Sequence, residues 1–223
     1  MSSLEHAIIA AAGLGSRLGH GIPKCLVEIG GRTIIERQLE ALSMIPYVRI
    51  VVGYMEHAVM DVVSRIKKDV IFVRNPSFRS TTTQDSYLMG AQGLDCQCLF
   101  LDADIVFDSD SLNAFVTLSA AHPVTIGVTA AKTDNAVYAV TRPASSGDLE
   151  IVSFSSEPCR FEWANIVSAP SSCFSRNRGA VFETLQTILP AAAKEIVCFE
   201  VDTERDLLRA ERFVNPGLSD RPR

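Results

Sequence analysis

The amino-acid sequence predicts an α/β fold: a single three-layer sandwich with a mostly parallel mixed sheet, helices on both faces, and a small β-rich subregion. Three observations predict it. Apolar residues make up 47% of the 223 residues, enough to fill a sizeable core and too many for a disordered or fibrous chain. Through roughly the first half, apolar runs of strand length alternate with amphipathic stretches, a pattern that implies right-handed crossovers between parallel strands. Farther on, short apolar runs are separated by Gly, Pro, Ser and Asp, which points to mixed or antiparallel pairing.

Taken in order, residues 7–12 form a continuous apolar run, read as a strand buried on both faces. Residues 13–24 hold Gly13, Gly15, Gly19, Gly21 and Pro23, too many breakers for a helix, so this segment is a loop. Thr33 with Glu36 predicts a capped helix over 34–44, with Ile34, Ile35, Leu39 and Leu42 on its apolar face. A strand at 48–52 follows, then a helix carrying Val59, Val62, Val63 and Ile66, then a strand at 70–73 that stops at Asn75-Pro76. A short helix over 84–93 leads to a strand at 96–101. This Rossmann-like pattern puts ligands at the carboxyl ends of the strands, where the 13–24 loop and the acidic stretch after Leu101 both fall. Strands are expected at 124–128, 136–141, 149–154, 166–169 and 196–201, with helices at 180–189 and 204–213. No linker divides the chain. Residues 1–214 read as one domain, with a nucleotide half at 1–105, an acceptor and metal half at 106–214, and a flexible tail at 215–223.

A formal charge of -5 argues against a broad basic surface for nucleic acid. Six cysteines are scattered, and the nearest pair, Cys96 and Cys98, lacks zinc or redox spacing, so reduced thiols are expected. The N-terminus lacks a basic leader region, and the 7–12 stretch is too short for a secretory signal. No apolar run approaches the ~20 residues of a membrane-spanning helix. A cytoplasmic protein with neither membrane nor nucleic-acid partner is therefore expected, a homodimer being one option for its assembly.

The loop Ala11-Ala12-Gly13-Leu14-Gly15-Ser16-Arg17-Leu18-Gly19 superficially matches a dinucleotide fingerprint, but its third glycine is one position late. A dinucleotide site also needs a helix to begin inside the motif, and the breakers here postpone one to Thr33. No Gly-Lys-Ser/Thr follows, which removes the P-loop. A long glycine-rich loop with Arg17 and a terminal Pro23-Lys24 suits a triphosphate wrapped by backbone N–H groups and neutralised by two cations.

The run A-A-G-L-G-S-R-L, followed by P-K-C-L-V-E-I-G-G-R-T-I-I-E-R-Q-L-E-A-L, resembles the nucleotidyltransferase superfamily of sugar-phosphate and small-alcohol-phosphate pyrophosphorylases. The segment from Asn75 to Leu88 is most similar to phosphocholine and phosphonate cytidylyltransferases. The resemblance is strong to about residue 105 and again at 200–207. It implies that Arg17 and Lys24 contact phosphates and serve as the catalytic cations. It also places the nucleotide along residues 10–13 and 81–86, with Ala11, Ala12, Gly13, Leu14, Gly15, Ser16, Thr82 and Ser86 as binding candidates.

Asp102-Ala103-Asp104 ends an apolar strand, and carboxylates beside a phosphate loop call for a cation between them, most simply Mg²⁺. Glu200-Val201-Asp202 repeats the spacing, one of its carboxylates being able to turn to the metal. The resemblance makes Asp104 and Asp202 the metal pair and sets Asp102 at the nucleotide, close to the acceptor. For the acceptor itself, Trp163 and Glu162 are candidates to line a cationic pocket, and Lys132, Arg160 or Arg176 to meet a phosphate or phosphonate. The expected activity is transfer of CMP from CTP to a small phosphate or phosphonate such as phosphocholine, phosphoethanolamine or aminoethylphosphonate, with release of pyrophosphate. A sugar-1-phosphate nucleotidyltransferase is the alternative. A GT-A glycosyltransferase would share the D-x-D pair but has no use for the loop, and a non-catalytic nucleotide-binding protein stands further off.

Overall fold

The computed structural model describes residues 4–15, 18–133, 136–145, 147–175 and 179–216. In chain order the elements are β1 (His6–Ala11), β2 (Glu28–Ile29), β3 (Arg32–Thr33), α1 (Ile34–Ala41), β4 (Tyr47–Val52), α2 (Glu56–Ile66), β5 (Val70–Arg74), α3 (Thr83–Ala91), β6 (Gln97–Asp102) and β7 (Ile105–Phe107). They continue as α4 (Ser109–Ser119), β8 (Thr125–Ala130), β9 (Tyr138–Pro143), β10 (Leu149–Ser155), β11 (Phe161–Pro170), α5 (Val181–Gln186), β12 (Ala191–Glu195), β13 (Cys198–Glu200) and α6 (Glu204–Val214).

One mixed sheet runs β5-β4-β1-β6-β11-β8-β12-β10-β9. Its first four strands are parallel, with Ala10 of β1 beside both Val51 and Asp102. From β11 onward antiparallel pairs dominate, and β9 returns to pair with the start of β11, closing those strands into a small ring. Because side chains alternate along a strand, β1 feeds two cores. Ile9 packs with Leu39 of α1, Val59 of α2 and Phe115 of α4, while Ile8 packs with Tyr87 of α3 and Leu185 of α5. Helices thus cover both faces. A third cluster joins α6 to the β2–β3 hairpin and to the two-stranded β13–β7 sheet through Ile29, Ile34, Val106, Val201 and Ala210.

Local signals explain much of this. Thr33 and Glu36 form the expected capping box, as do Thr82 with Asp85 and Thr203 with Asp206. The structure adds β7, α4 and β12, none of which shows a clear pattern in the sequence. Ala191-Ala192-Ala193 favours helix by propensity, yet pairing with β8 and β10 makes it a strand. All six cysteines are free thiols, and no helix among the described residues is long and apolar enough to cross a membrane. The expected tail lies outside the described residues from 217 on.

Gly90 sets how closely α3 approaches the sheet, since a Cβ there would lie 2.4 Å from Ile8 Cγ2 and 3.0 Å from Val51 Cγ2. Gly90→Ala is therefore expected to cost about 1–3 kcal/mol through overpacking. A thermal melt reads this as a drop of roughly 2–4 °C per kcal/mol; an unchanged midpoint would mean that α3 has room to spare.

Candidate active site

The chain leaves β1 at Ala11 and reaches a 3₁₀ turn at Lys24–Leu26 by way of the glycine-rich loop. Gly15 has φ +62°, and a Cβ there would lie 2.9 Å from Lys24 Cγ, so this glycine both turns the loop and makes room for the lysine stem. Gly13 has no such neighbour within 4 Å. Pro23 caps the 3₁₀ turn, and its carbonyl accepts from Leu26 N–H at 2.9 Å, fixing where Lys24 departs. Tyr54 OH donates to the Gly21 carbonyl at 3.1 Å, and His20 Nε2 lies 2.6 Å from Glu204 Oε1, tying the far side of the loop to α2's approach and to α6. Ser16 and Arg17 lie outside the described residues.

Lys24 Nζ donates to Asp104 Oδ2 at 2.6 Å and also to Asp202 Oδ1. Two strand ends deliver these carboxylates. β6 stops at Asp102, residues 103 and 104 turn, and the Asp104 carbonyl accepts from Val201 N–H at 2.9 Å. β13 pairs with β7, Glu200 opposite Ile105, which sets Glu200 and Asp202 beside Asp104. One carboxylate oxygen from each of Asp104, Glu200 and Asp202 lies within 4.8 Å of the others. Asp104 Oδ1 is buried without a hydrogen-bond partner among the described residues. Three converging carboxylates with one such orphaned oxygen fit a hard divalent cation of the Mg²⁺ kind.

Glu200 joins the two expected ligands, and its E-x-D spacing to Asp202, the same as that of Asp102 to Asp104, is the signal that the sequence carries for it. Asp102 stands apart from the trio. Residues 103 and 104 turn after β6, and Asp102 Oδ1 accepts from Tyr87 OH at 2.6 Å. Burial, followed by the charge of Asp104, pushes the Asp102 carboxyl well above the usual carboxylate range, the Tyr87 hydrogen bond opposing in part. Burial likewise raises the Tyr87 phenol well above its ordinary value.

These groups edge a cleft of about 320 Å³ that brings together Ala11, Ala12, Gly13, Leu14, Gly15, Lys24, Thr82, Ser86, Asp102 and Asp104. Asn75, Phe78, Thr81 and Glu200 line it as well. Thr82 serves as the N-cap of α3, its hydroxyl engaged with Asp85. Asn75 is buried, accepts from Ser77 N–H at 3.1 Å, and donates to Thr81 Oγ1 at 2.9 Å, shaping the loop ahead of α3.

Residues 7–205 match the MobA-like NTP transferase domain. The chain belongs to that family. Among curated relatives, it is 36% identical over 73 residues to 2-C-methyl-D-erythritol 4-phosphate cytidylyltransferase of Corynebacterium jeikeium, covering 33% of this chain and 26% of the relative. It is 32% identical over 109 residues to CMP-5'-(3-aminopropyl)phosphonate synthase of Streptomyces rubellomurinus, covering 46% of this chain and 17% of the relative. The matched stretches thus span about a quarter or less of those proteins. Among solved structures, CTP:phosphocholine cytidylyltransferase of Streptococcus pneumoniae superposes with TM-score 0.71 at 18% identity, covering 95% of this chain and 100% of that one. UDP-glucose pyrophosphorylase of Acinetobacter baumannii superposes with TM-score 0.77 at 14% identity, covering 97% and 95%. At such identities the structures establish the shared fold.

Strand alternation along β11 separates two residues expected to line one acceptor pocket. Glu162 and Trp163 are neighbours on β11, and consecutive strand residues face opposite sides of a sheet. Trp163 packs against Phe154 at 6.3 Å between ring centroids, on the Tyr87 side. Glu162, 5% exposed, accepts from Lys132 N–H at 3.2 Å, Thr133 N–H at 3.0 Å and Thr133 Oγ1 at 3.0 Å. Its carboxylate is committed to the loop after β8, so the two residues do not line one pocket. Lys132 Nζ donates to Thr129 Oγ1 at 2.9 Å and sits 4.9 Å from the centre of the Phe199 ring, next to β13 but outside the main cleft. Arg160 stacks over Phe161, and Arg176 lies outside the described residues.

The two loop glycines make contrasting predictions. Gly15→Ala lowers the thermal midpoint of the ligand-free protein, since it meets both the positive φ and the Lys24 stem. Gly13→Ala leaves the midpoint unchanged. Equal midpoints for the two variants would contradict the packing of Lys24 on Gly15.

Proposed function

We propose that this chain transfers a nucleoside monophosphate, CMP from CTP, onto a small phosphate or phosphonate acceptor and releases pyrophosphate. The observation that carries this reading is the Lys24 ammonium held between Asp104 and Asp202 at the foot of a glycine-edged cleft. A site built only to hold a neutral ligand has no use for such a concentration of opposed charge. The names of the two curated relatives, a cytidylyltransferase and a CMP-5'-(3-aminopropyl)phosphonate synthase, support CTP.

In this reading, the triphosphate enters over Gly13 to Gly15 and takes Lys24 as a partner for its α-phosphate. Arg17 is assigned to phosphate oxygens, and the base lies toward Thr82 and Ser86. Asp102, held by Tyr87, borders the ribose and acceptor end. Residues 1–105 supply the nucleotide half and 106–214 the acceptor and metal half of one domain. Mg²⁺ held by Asp104, Glu200 and Asp202 would neutralise triphosphate oxygens and favour pyrophosphate as the leaving group. The acceptor oxygen, already ionised at neutral pH, attacks the α-phosphorus in line, and the bond between the α-phosphorus and the bridging oxygen to the β-phosphate breaks. No general base is required. Catalysis consists of positioning and charge neutralisation, with Lys24 leaving its carboxylates for the α-phosphate as charge builds there. Lys132, beside β13, is assigned to the acceptor side. A cytoplasmic setting, where nucleoside triphosphates are made available, accords with this chemistry.

The fold similarity to UDP-glucose pyrophosphorylase keeps a sugar-1-phosphate acceptor as the second reading. Both are tested by measuring pyrophosphate release from CTP, UTP, GTP and ATP, each with sugar 1-phosphates, choline phosphate, ethanolamine phosphate and aminoethylphosphonate. Release from CTP with one of the last three is expected. Reaction confined to sugar 1-phosphates would establish the second reading, and no pyrophosphate from any pair would end both.

Lys24→Ala is expected to lower turnover by roughly two orders of magnitude or more, in line with the loss of other transition-state charge stabilisers. In metal-free buffer the same variant should melt lower than the parent, because it leaves Asp104 and Asp202 without their ammonium. Added Mg²⁺ should recover part of that loss. Near-normal turnover would remove Lys24 from the chemistry.

A further inference from the structure

β11 contains an irregularity that the transfer chemistry described so far does not use. Its pairing with β8 slips between Trp163 and Val167, and Asn165 lies in the slip with φ 51°, one of two described non-glycine residues with positive φ. On the other edge of the strand, Ile166 pairs with Leu101, so Asn165 sits level with the carboxyl end of β6. A bulge with left-handed backbone re-aims a side chain, and such devices concentrate beside functional sites. Here the re-aimed group is an amide: Asn165 Nδ2 donates to Glu200 Oε2 at 2.9 Å.

We infer that Asn165 is a positioning residue that holds the Glu200 carboxylate toward Asp104 and Asp202 and so tunes their affinity for a divalent cation. Three features carry this. Glycine would satisfy the left-handed backbone at least as well as asparagine, so the bulge alone does not account for the amide. The contact links the large sheet to a carboxylate delivered by the separate β13–β7 pair. The donor is also neutral. It fixes the carboxylate plane through one oxygen and partly offsets repulsion among the acidic groups, without adding a positive charge that would compete with a cation. Hydrogen bonds of this outer kind typically change metal affinity about 10–100-fold.

The inference rests on the metal assignment made above, and its test reads metal binding directly. Mn²⁺ is titrated into the full chain and free Mn²⁺ is followed by electron paramagnetic resonance, for the parent, Asn165→Gly, Glu200→Gln and the double variant, with thermal midpoints alongside. Asn165→Gly is expected to keep or raise the midpoint while weakening Mn²⁺ binding about tenfold or more. In the Glu200→Gln background it should have no further effect, since the coupling runs through that carboxylate. Parent-like Mn²⁺ binding by Asn165→Gly, or the same fold-loss in both backgrounds, would overturn the inference, as would a parent that binds no Mn²⁺. A coupled loss in a protein that releases no pyrophosphate from any triphosphate would leave Asn165 in its role and remove only the proposed reaction.

Discussion

Everything at this site depends on holding like charges together where strands end. Asp104, Glu200 and Asp202 bring carboxylate oxygens within 4.8 Å of one another, and Asp102 lies two residues from the first of them. Two unit charges at that separation repel by roughly 3–4 kcal/mol at an effective dielectric near 20. A nearby cation offsets this repulsion, and among the described residues the Lys24 ammonium bridges two of the three carboxylates. Its position explains the loop. Gly15 must turn through a left-handed conformation and forgo a side chain so that the lysine stem can pass, and Pro23 must begin the 3₁₀ turn from which it extends.

The same charge balance gives the site a way to respond to ligand. Lys24 is shared by two carboxylates that are also suited to a divalent cation, so cation and triphosphate arriving together can exchange partners with it. In the proposed reaction the ammonium would gain phosphate oxygens while the carboxylates would hold the metal. That exchange needs no movement of the sheet. It needs only a lysine side chain on a loop whose far end is tied down by Tyr54 and His20.

Local chemistry made much of this legible in the sequence. The apolar run before Gly13, the Thr33 capping box and the Pro23-Lys24 pair each rest on interactions within a few residues, and the structure retains all three. What the sequence hid depends on distant pairing. Glu200 joins Asp104 only because β13 pairs with β7, and β7 itself is too short to announce itself. Glu162 and Trp163 looked like partners because the strand was expected only at 166–169; β11 begins at Phe161, and alternation then sends them to opposite faces. Asn165 was invisible because nothing in an asparagine's neighbours reveals a positive φ. Ala191-Ala192-Ala193 became a strand because open edges of β8 and β10 outweighed a helical preference.

In the proposed reaction the CMP unit passes intact to the acceptor, with the bond broken at the α-phosphorus. Phosphorus-31 spectroscopy of CTP reacting with choline phosphate or aminoethylphosphonate, in the presence of Mg²⁺, tests it most directly. The α-phosphorus resonance should move into a new P–O–P anhydride with the acceptor, a phosphoanhydride for choline phosphate or a phosphoric–phosphonic anhydride for aminoethylphosphonate, while the β- and γ-phosphorus atoms leave together as pyrophosphate. Appearance of CDP with a newly phosphorylated acceptor, or of free CMP with no conjugate, would contradict it.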